Sequence, residues 1–269
     1  MELDQSSIEF SELTRSQLPA LHLLQNLGYI YLSPREALIL RGGRADSVLL
    51  EAVLLDWLAK NNTIQYHDKI FPFSEGNIHA AIQDLKEILA IGLLRSNETI
   101  FDLLSLGKSL QQSINGNLKS FSLHYIDWKN PANNVYHVAE EFAVERRGSK
   151  ETRRPDLVMF VNGIPFCVIE CKSPDIKDPI EQAISQQIRN QKEDEIPVLF
   201  QYTQLLLAVS GNEAKYATVG TPAKFWSVWK ESTIDFEEEV QNSINKPLNQ
   251  KQVQSLYDAF PGKSRLDAA

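Results

Sequence analysis

The chain has 269 residues, with 27 Lys plus Arg against 35 Asp plus Glu and a formal net charge of -8. Its 43% hydrophobic and 23% charged residues exclude disorder over the whole length and allow one large domain or two small ones. The negative balance argues against a surface that binds nucleic acid through bulk positive charge, and leaves room for a local basic site. Two cysteines, Cys167 and Cys171, supply neither a disulfide framework nor a four-ligand zinc site. The opening MELDQSSIEF lacks the basic end and apolar run of a signal peptide, and no segment approaches the roughly 18 apolar residues of a membrane span. The expectation is a cytoplasmic chain with no membrane partner.

Residues 1–115 read as mostly helical. Gln17 to Asn26 carries Leu18, Leu21, Leu23 and Leu24, and Gly28 is a stop. Asp46 to Lys60 is amphipathic, with Asp46 or Ser47 as its cap. Asn77 to Leu89 and Thr99 to Gln112 are two further helices, and Asn115-Gly116-Asn117 is a loop. The period then changes from 3.6 to 2. Phe121 to Ile126 and Val135 to Val144 alternate as strands do. Asp156 to Val161 and Phe166 to Lys172 flank Asn162-Gly163-Ile164-Pro165, and an Asn-Gly pair between such runs signals a hairpin. A helix over Asp178 to Gln191 follows, then strands at Leu205 to Ser210 and Tyr216 to Val219, then a helix from Pro222 to Lys230. Residues 231–269 are polar and acidic, with one short helix near Gln252 to Tyr257. The reading is an α/β (α+β) fold in which a mixed central sheet is flanked by helices. It divides into a helical region at 1–115, a core at 116–230 and an acidic linker at 231–269.

The hairpin carries the chemistry. Side chains alternate faces along a strand, so Phe166, Val168, Glu170 and Lys172 share one face, and Cys167, Ile169 and Cys171 share the other. Asp156 starts the partner strand and falls opposite the end of the second one. One hairpin end therefore collects two carboxylates and an ammonium beside the apolar run Leu157 to Val161. Carboxylates there are costly unless paired or metal-bound, and a divalent cation relieves their mutual repulsion. Oxygen ligands suit magnesium, with Asp156, Glu170 and the backbone carbonyl of Cys171 as its ligands. Lys172 is placed to orient or deprotonate a bound water or to stabilise charge on phosphorus. A salt-bridged hairpin end is the bland alternative for the same three residues.

This arrangement resembles the PD-(D/E)xK nuclease superfamily. The run VYHVAEEFAVERR…RRPDLVMFVNGIPFCVIECKSPD, followed by QQIRNQ and IPVLFQYTQLLLAVSGNEAKYATVGTP, is similar to the nuclease domain of the R subunit of type I restriction–modification enzymes over about 128–226. The resemblance implies that Asp156, Glu170 and Lys172 are catalytic and that duplex DNA is cut with magnesium. It further implies an ATP-driven motor, absent from this chain, and methyltransferase M and specificity S subunits as partners. Related nucleases carry Q-x-x-x-Y on the following helix. Gln187 matches the Gln, and Gln191 stands where the Tyr belongs. Gln187 and Gln191 share a helix face at spacing four and are the candidates to touch DNA backbone or orient the lysine, with a solvated Gln-rich face as the alternative. Such nucleases also supply an additional Glu from a helix before the sheet. Glu51 is the candidate, with Glu140 and Glu141 as rivals.

Arg146, Arg147, Lys150, Arg153 and Arg154 face only one acid, Glu151, within residues 146–154, a formal +4 leading into Asp156. This stretch is read as a phosphate-holding approach. Gly107-Lys108-Ser109 and Gly262-Lys263-Ser264 echo the end of a phosphate loop, but Asp102 and Tyr257 stand where its first glycine is needed, so no ATP site is expected. The runner-up functions are a catalytically silent docking or DNA-binding module with a nuclease fold, and a stand-alone repair nuclease.

Overall fold

A computed structural model describes residues 12–88, 92–211 and 213–230. The expected linker at 231–269, with its short helix, lies outside the described residues.

The centre is a seven-stranded mixed sheet in the order β1 (Ile30–Leu32), β6 (Tyr136–Glu140), β9 (Leu157–Val161), β10 (Ile164–Cys171), β11 (Leu205–Ser210), β12 (Glu213–Ala217) and β13 (Ser227–Val228). The pairs β1/β6 and β10/β11 are parallel, and the other pairs are antiparallel. Separate two-stranded ribbons are β2 (Thr63–Tyr66) with β3 (Lys69–Pro72), β4 (Lys108–Ile114) with β5 (Asn117–Leu123), and β7 (Val144–Glu145) with β8 (Thr152–Arg153). The helices are α1 (Leu18–Asn26), α2 (Pro34–Leu40), α3 (Glu51–Asn61), α4 (Glu75–Lys86), α5 (Leu93–Leu106), α6 (Pro179–Asn190) and α7 (Pro197–Tyr202). A π-helical turn over Leu13–Gln17 leads into α1.

Alternation sorts the strands as expected. Val158, Phe160, Val168, Leu206 and Ala208 join the larger core with Ile180, Ala183 and Ile184 of α6. Leu157, Cys167, Ile169 and Cys171 face the other way, onto Leu21 and Leu24 of α1. Both cysteines are buried thiols on that second face. The larger core continues into Leu50, Leu54 and Leu58 and into Ile78, Ala81 and Leu85.

The hairpin turn is tighter than expected. Val161 pairs with Ile164, so the loop is Asn162-Gly163 alone, both with positive φ (52° and 83°), as a type I′ turn requires. Asn162 braces it by accepting the Val135 N–H at 2.8 Å and donating to Tyr125 O at 2.9 Å. A Cβ on Gly163 would stand 2.6 Å from Leu50 O, while Leu50 N–H donates to Gly163 O at 2.8 Å. The start of α3 therefore grips the turn through backbone that only glycine lets approach.

Several boundaries differ from the sequence reading. Helix α3 begins at Glu51 after an N-cap at Leu50, so Asp46 and Ser47 do not cap it. Instead Asp46 pairs with Arg44 at 2.8 Å. The helix expected over Thr99 to Gln112 stops at Leu106, because Gly107 takes φ +78° and a Cβ there would meet Leu123 O at 2.3 Å. Lys108 to Gln112 belong instead to an antiparallel ribbon that turns at Asn115-Gly116. The two ribbons at 63–72 and 108–123 make the first half less helical than read. Val135 to Val144 is broken after Glu140. Pro222 starts only a short 3-10 turn (Ala223–Phe225), after which Ser227–Val228 pairs onto β12. Helix α7 is not expected from the sequence, since its six residues are too few to show a period.

Candidate functional site

The strand register carries Asp156 and Glu170 to one point. Leu157 pairs with Ile169, so the next position outward on each strand sets Asp156 beside Glu170. Both are buried, with 6% and 0% of their surface exposed. Asp156 Oδ2 accepts the Cys171 N–H at 2.6 Å, which ties the aspartate to the strand that bears its partners. Glu170 Oε2 accepts from Gln186 Nε2 at 2.6 Å, and among the described residues no N–H or hydroxyl donor reaches its buried Oε1, the Asp156 carboxyl being its close polar neighbour.

Burial first, and the adjacent Asp156 second, push the Glu170 carboxyl well above the usual carboxylate range. Burial also raises Asp156, against the opposing pull of Lys172. Lys172 loses solvation, which lowers its pKa. Asp156, Glu12 and Glu170 outweigh that loss, and the net shift is upward. The site thus holds two strained carboxyls and a firmly cationic lysine.

Glu12 is the member that sequence reading missed. Its Oε1 lies 3.2 Å from Lys172 Nζ. One helical turn on, Ser16 Oγ donates to Lys172 O at 2.8 Å and accepts the Gly211 N–H at 3.2 Å. Arg15 binds Asp175 at 2.9 and 3.1 Å. The turn ahead of α1 is thereby fastened across the ends of β10 and β11. The sequence carries a signal for it: Leu13, Leu21 and Leu24 continue one apolar stripe back past Gln17, the first residue of the expected helix.

The structure separates the rival glutamates. Glu51 pairs with Lys86 at 2.8 Å and opens α3, which sits at the turn end of the hairpin. The eight residues of β10 put it roughly 20 Å from the Glu170 end, so it is not brought to the site. Glu140 points to the α1 face, where it is bonded by the Tyr31 hydroxyl, and burial pushes it up to about 7. Glu141 lies beside the site, its N–H donating to Asp156 O at 3.0 Å. Burial and then Asp156 raise it to about 7, with Arg154, Glu12 and Lys172 as its other charged neighbours.

Gln187 is not at the site. It is fully buried, and its Nε2 donates to Val168 O and Leu207 O, both at 3.0 Å. A side chain enclosed between two strands has no route to DNA. The residue that reaches Glu170 is its neighbour Gln186, about 100° round the helix. Gln191 accepts the Gly220 N–H at 2.8 Å.

The basic stretch is largely neutralised. Arg146 meets Glu151, Asp194 and Glu195, Arg147 meets Glu193, Lys150 meets Glu145, and Arg153 meets Glu195 at 2.6 Å. A groove of about 630 Å³ runs beside this lobe, and Asp156, Glu170 and Lys172 do not line it. Arg154 is exposed, makes no ion pair among the described residues, and acts on Glu141. The expected phosphate-holding approach reduces to this one arginine.

Among the described residues, no three His, Cys, Asp or Glu side chains already stand around one metal position, and no helix is long and apolar enough to cross a membrane.

Comparison with known proteins gives the chain a family. Residues 9–225 match the family model described as type I restriction enzyme R protein N terminus. The chain is 35% identical over 144 residues to the MjaIXP type I restriction enzyme endonuclease-subunit chain of Methanocaldococcus jannaschii, covering 52% of this chain and 13% of the relative. It is 26% identical over 236 residues to the type I restriction enzyme HindI endonuclease subunit of Haemophilus influenzae, covering 84% of this chain and 21% of the relative. The chain thus spans about a fifth or less of these relatives' length. With the family model matched across most of the sequence, the chain belongs to the family of type I restriction enzyme R protein N termini.

Proposed function

We propose that this chain is the magnesium-dependent endonuclease domain of a type I restriction R subunit and that it cleaves phosphodiester bonds of duplex DNA. The observation that carries the reading is the meeting of Asp156, Glu170 and Lys172 at one hairpin end, with Glu170 Oε1 buried and lacking an N–H or hydroxyl donor among the described residues. The names of the relatives, endonuclease subunits of type I restriction enzymes, support it.

The residues fit a divalent cation on their chemistry. Two buried carboxyls that destabilise one another's charge, one with an oxygen free, are relieved by a cation. Magnesium takes one or two carboxylates and keeps waters, so a cage of three acids is not required. Asp156, Glu170 and the backbone carbonyl of Cys171 would hold it. When bound, it would polarise a phosphate oxygen and lower the pKa of water.

The protein's own residues do the rest. Cys171 N–H fixes one oxygen of Asp156, and Gln186 fixes one oxygen of Glu170. Lys172, held cationic, stabilises negative charge accumulating on the phosphoryl oxygens and is a poor proton acceptor at neutral pH. Arg154 offers an exposed guanidinium to a neighbouring phosphate. We assign the chemistry to residues 116–230, a bracing role to 1–115, and to 231–269 a path toward an ATP-driven motor. In that longer protein M and S subunits are the partners and the cytoplasm is the setting.

Plasmid nicking with magnesium or manganese tests the reading. Wild type should nick, and Lys172→Ala should nick at least 100-fold more slowly with an unchanged circular dichroism spectrum. Equal nicking by both overturns the assigned site. Absence of nicking together with absence of cation uptake in the wild type favours a silent module.

A further inference from the structure

Strand β11 carries one polar side chain into the layer beneath α6. Leu206 and Ala208 join the larger core with Ile180, Ala183 and Ile184 of α6. Alternation turns Ser210 the same way, and only 4% of its surface is exposed. Its Oγ is buried and meets no hydrogen-bond partner among the described residues. The register sets this hydroxyl beside the site. Glu170 pairs with Ala208 and Cys171 with Val209, and the ladder continues as Lys172 N–H donates to Val209 O at 2.9 Å. Ser210 is therefore the next position outward of the Glu170 row on the face that bears Glu170.

Two further buried oxygens in this layer lack an N–H or hydroxyl donor among the described residues, Glu170 Oε1 and Gln187 Oε1. Gln187 stands inward of Glu170, because its Nε2 bonds Val168 O and Leu207 O. Between them the side chains are small: Ala208 opposite Glu170, and Ala183 one turn before Gln187, both fully buried. A buried hydroxyl without a partner is costly, and protein interiors resolve such groups with a water that bonds about three of them. Two positions apart on neighbouring strands, Glu170 and Ser210 have Cα atoms roughly 8 Å from one another, a separation that one water closes between their side chains.

We propose that Ser210 is a positioning residue of the cleavage centre, holding through one buried water the Glu170 oxygen that Gln186 leaves free. Gln186 fixes Oε2 from α6, and the water on Ser210 fixes Oε1 from β11, so the carboxyl plane is set from both sides. A carboxylate oxygen has more than one lone pair, so Oε1 keeps one for a cation. The positioning role rests on the endonuclease reading, whereas the water does not.

A crystal structure of the full chain, with melting and nicking of Ser210→Ala, tests this. The wild type should show a water within hydrogen-bond distance of Ser210 Oγ and Glu170 Oε1. Ser210→Ala should melt about 2–4 °C lower, because the water and the carboxyl lose a partner. It should also lower kcat for nicking about 10-fold with KM for DNA unchanged, the usual effect of losing a group behind a ligand. A merely unpaired hydroxyl predicts the opposite melting shift, since alanine removes its cost. No water between the two oxygens, or a higher Tm for Ser210→Ala, overturns the proposal and leaves the endonuclease reading standing. An unchanged kcat overturns the positioning role. No nicking by wild type with magnesium or manganese removes the endonuclease reading and the positioning role together, whatever the crystal shows of the water.

Discussion

Gln186 and Gln187 are adjacent on α6 and do unlike things: Gln186 bonds the buried Glu170 carboxyl at 2.6 Å, and Gln187 bonds the carbonyls of Val168 and Leu207 at 3.0 Å each. One side chain sets a functional oxygen, and the other pins the helix that carries it. Gln187→Leu should cost about 2–3 kcal/mol in urea denaturation, because two buried carbonyls lose their donor. Gln186→Leu should leave the denaturation midpoint within experimental error and slow nicking by about 10-fold. Equal destabilisation by both changes would show that the division of labour is wrong.

Asp156→Asn should abolish cleavage and stabilise the protein. The net upward shift of Asp156 means that the folded state favours its neutral form, and asparagine is neutral at every pH. A gain of about 1 kcal/mol at pH 8 is expected, a common result of disarming a site built from repelling charges. A lower Tm for the variant at that pH would contradict this account.

Glu140 gives the stability a pH dependence separate from the cleavage chemistry. Its folded pKa of about 7 is raised above the ordinary glutamate value of 4.5 by burial, the Tyr31 bond opposing, with Glu141 its other charged neighbour. The folded state therefore binds this proton more tightly than the unfolded chain does. The stabilisation is complete below about pH 4.5 and is lost as pH rises through about 7. The full span is worth on the order of 3 kcal/mol. Melting at pH 5.5 and 8.5 should give a higher Tm at the lower pH, and Glu140→Gln should shrink the difference. An undiminished difference in the variant would place the titration elsewhere.

Arg153 and Arg154 should separate in DNA binding. Arg153 is committed to Glu195, whereas Arg154 has no ion pair among the described residues. Arg154→Ala should reduce the salt slope of duplex binding by about 1, and Arg153→Ala should leave it unchanged. A reduced slope for Arg153→Ala would restore the broader basic approach.

How much of this was legible depended on range. The Asn162-Gly163 turn and the alternation from Phe166 to Lys172 are local, so the meeting of Asp156 with Glu170 followed from counting along two strands. Glu12 was not legible, because its partner lies 160 positions away and no short pattern joins them. The choice between Gln186 and Gln187 depends on helix azimuth, which a motif one residue out of phase misassigns. The helix read through Lys108 failed because an approach to Leu123 O, known only once the ribbon folds, decides where the chain turns.

The salt-bridged lobe changes how a polyanion experiences this molecule from afar. Arg146, Arg147, Lys150 and Arg153 each face an acid from Glu145, Glu151 or the Glu193-Asp194-Glu195 run. Beyond a Debye length of about 8 Å, four bases answered by five carboxylates exert no net attraction on DNA. The lobe is electrostatically silent at a distance, so on the endonuclease reading proposed above it would add nothing to the diffusional capture of a duplex at Asp156 and Glu170.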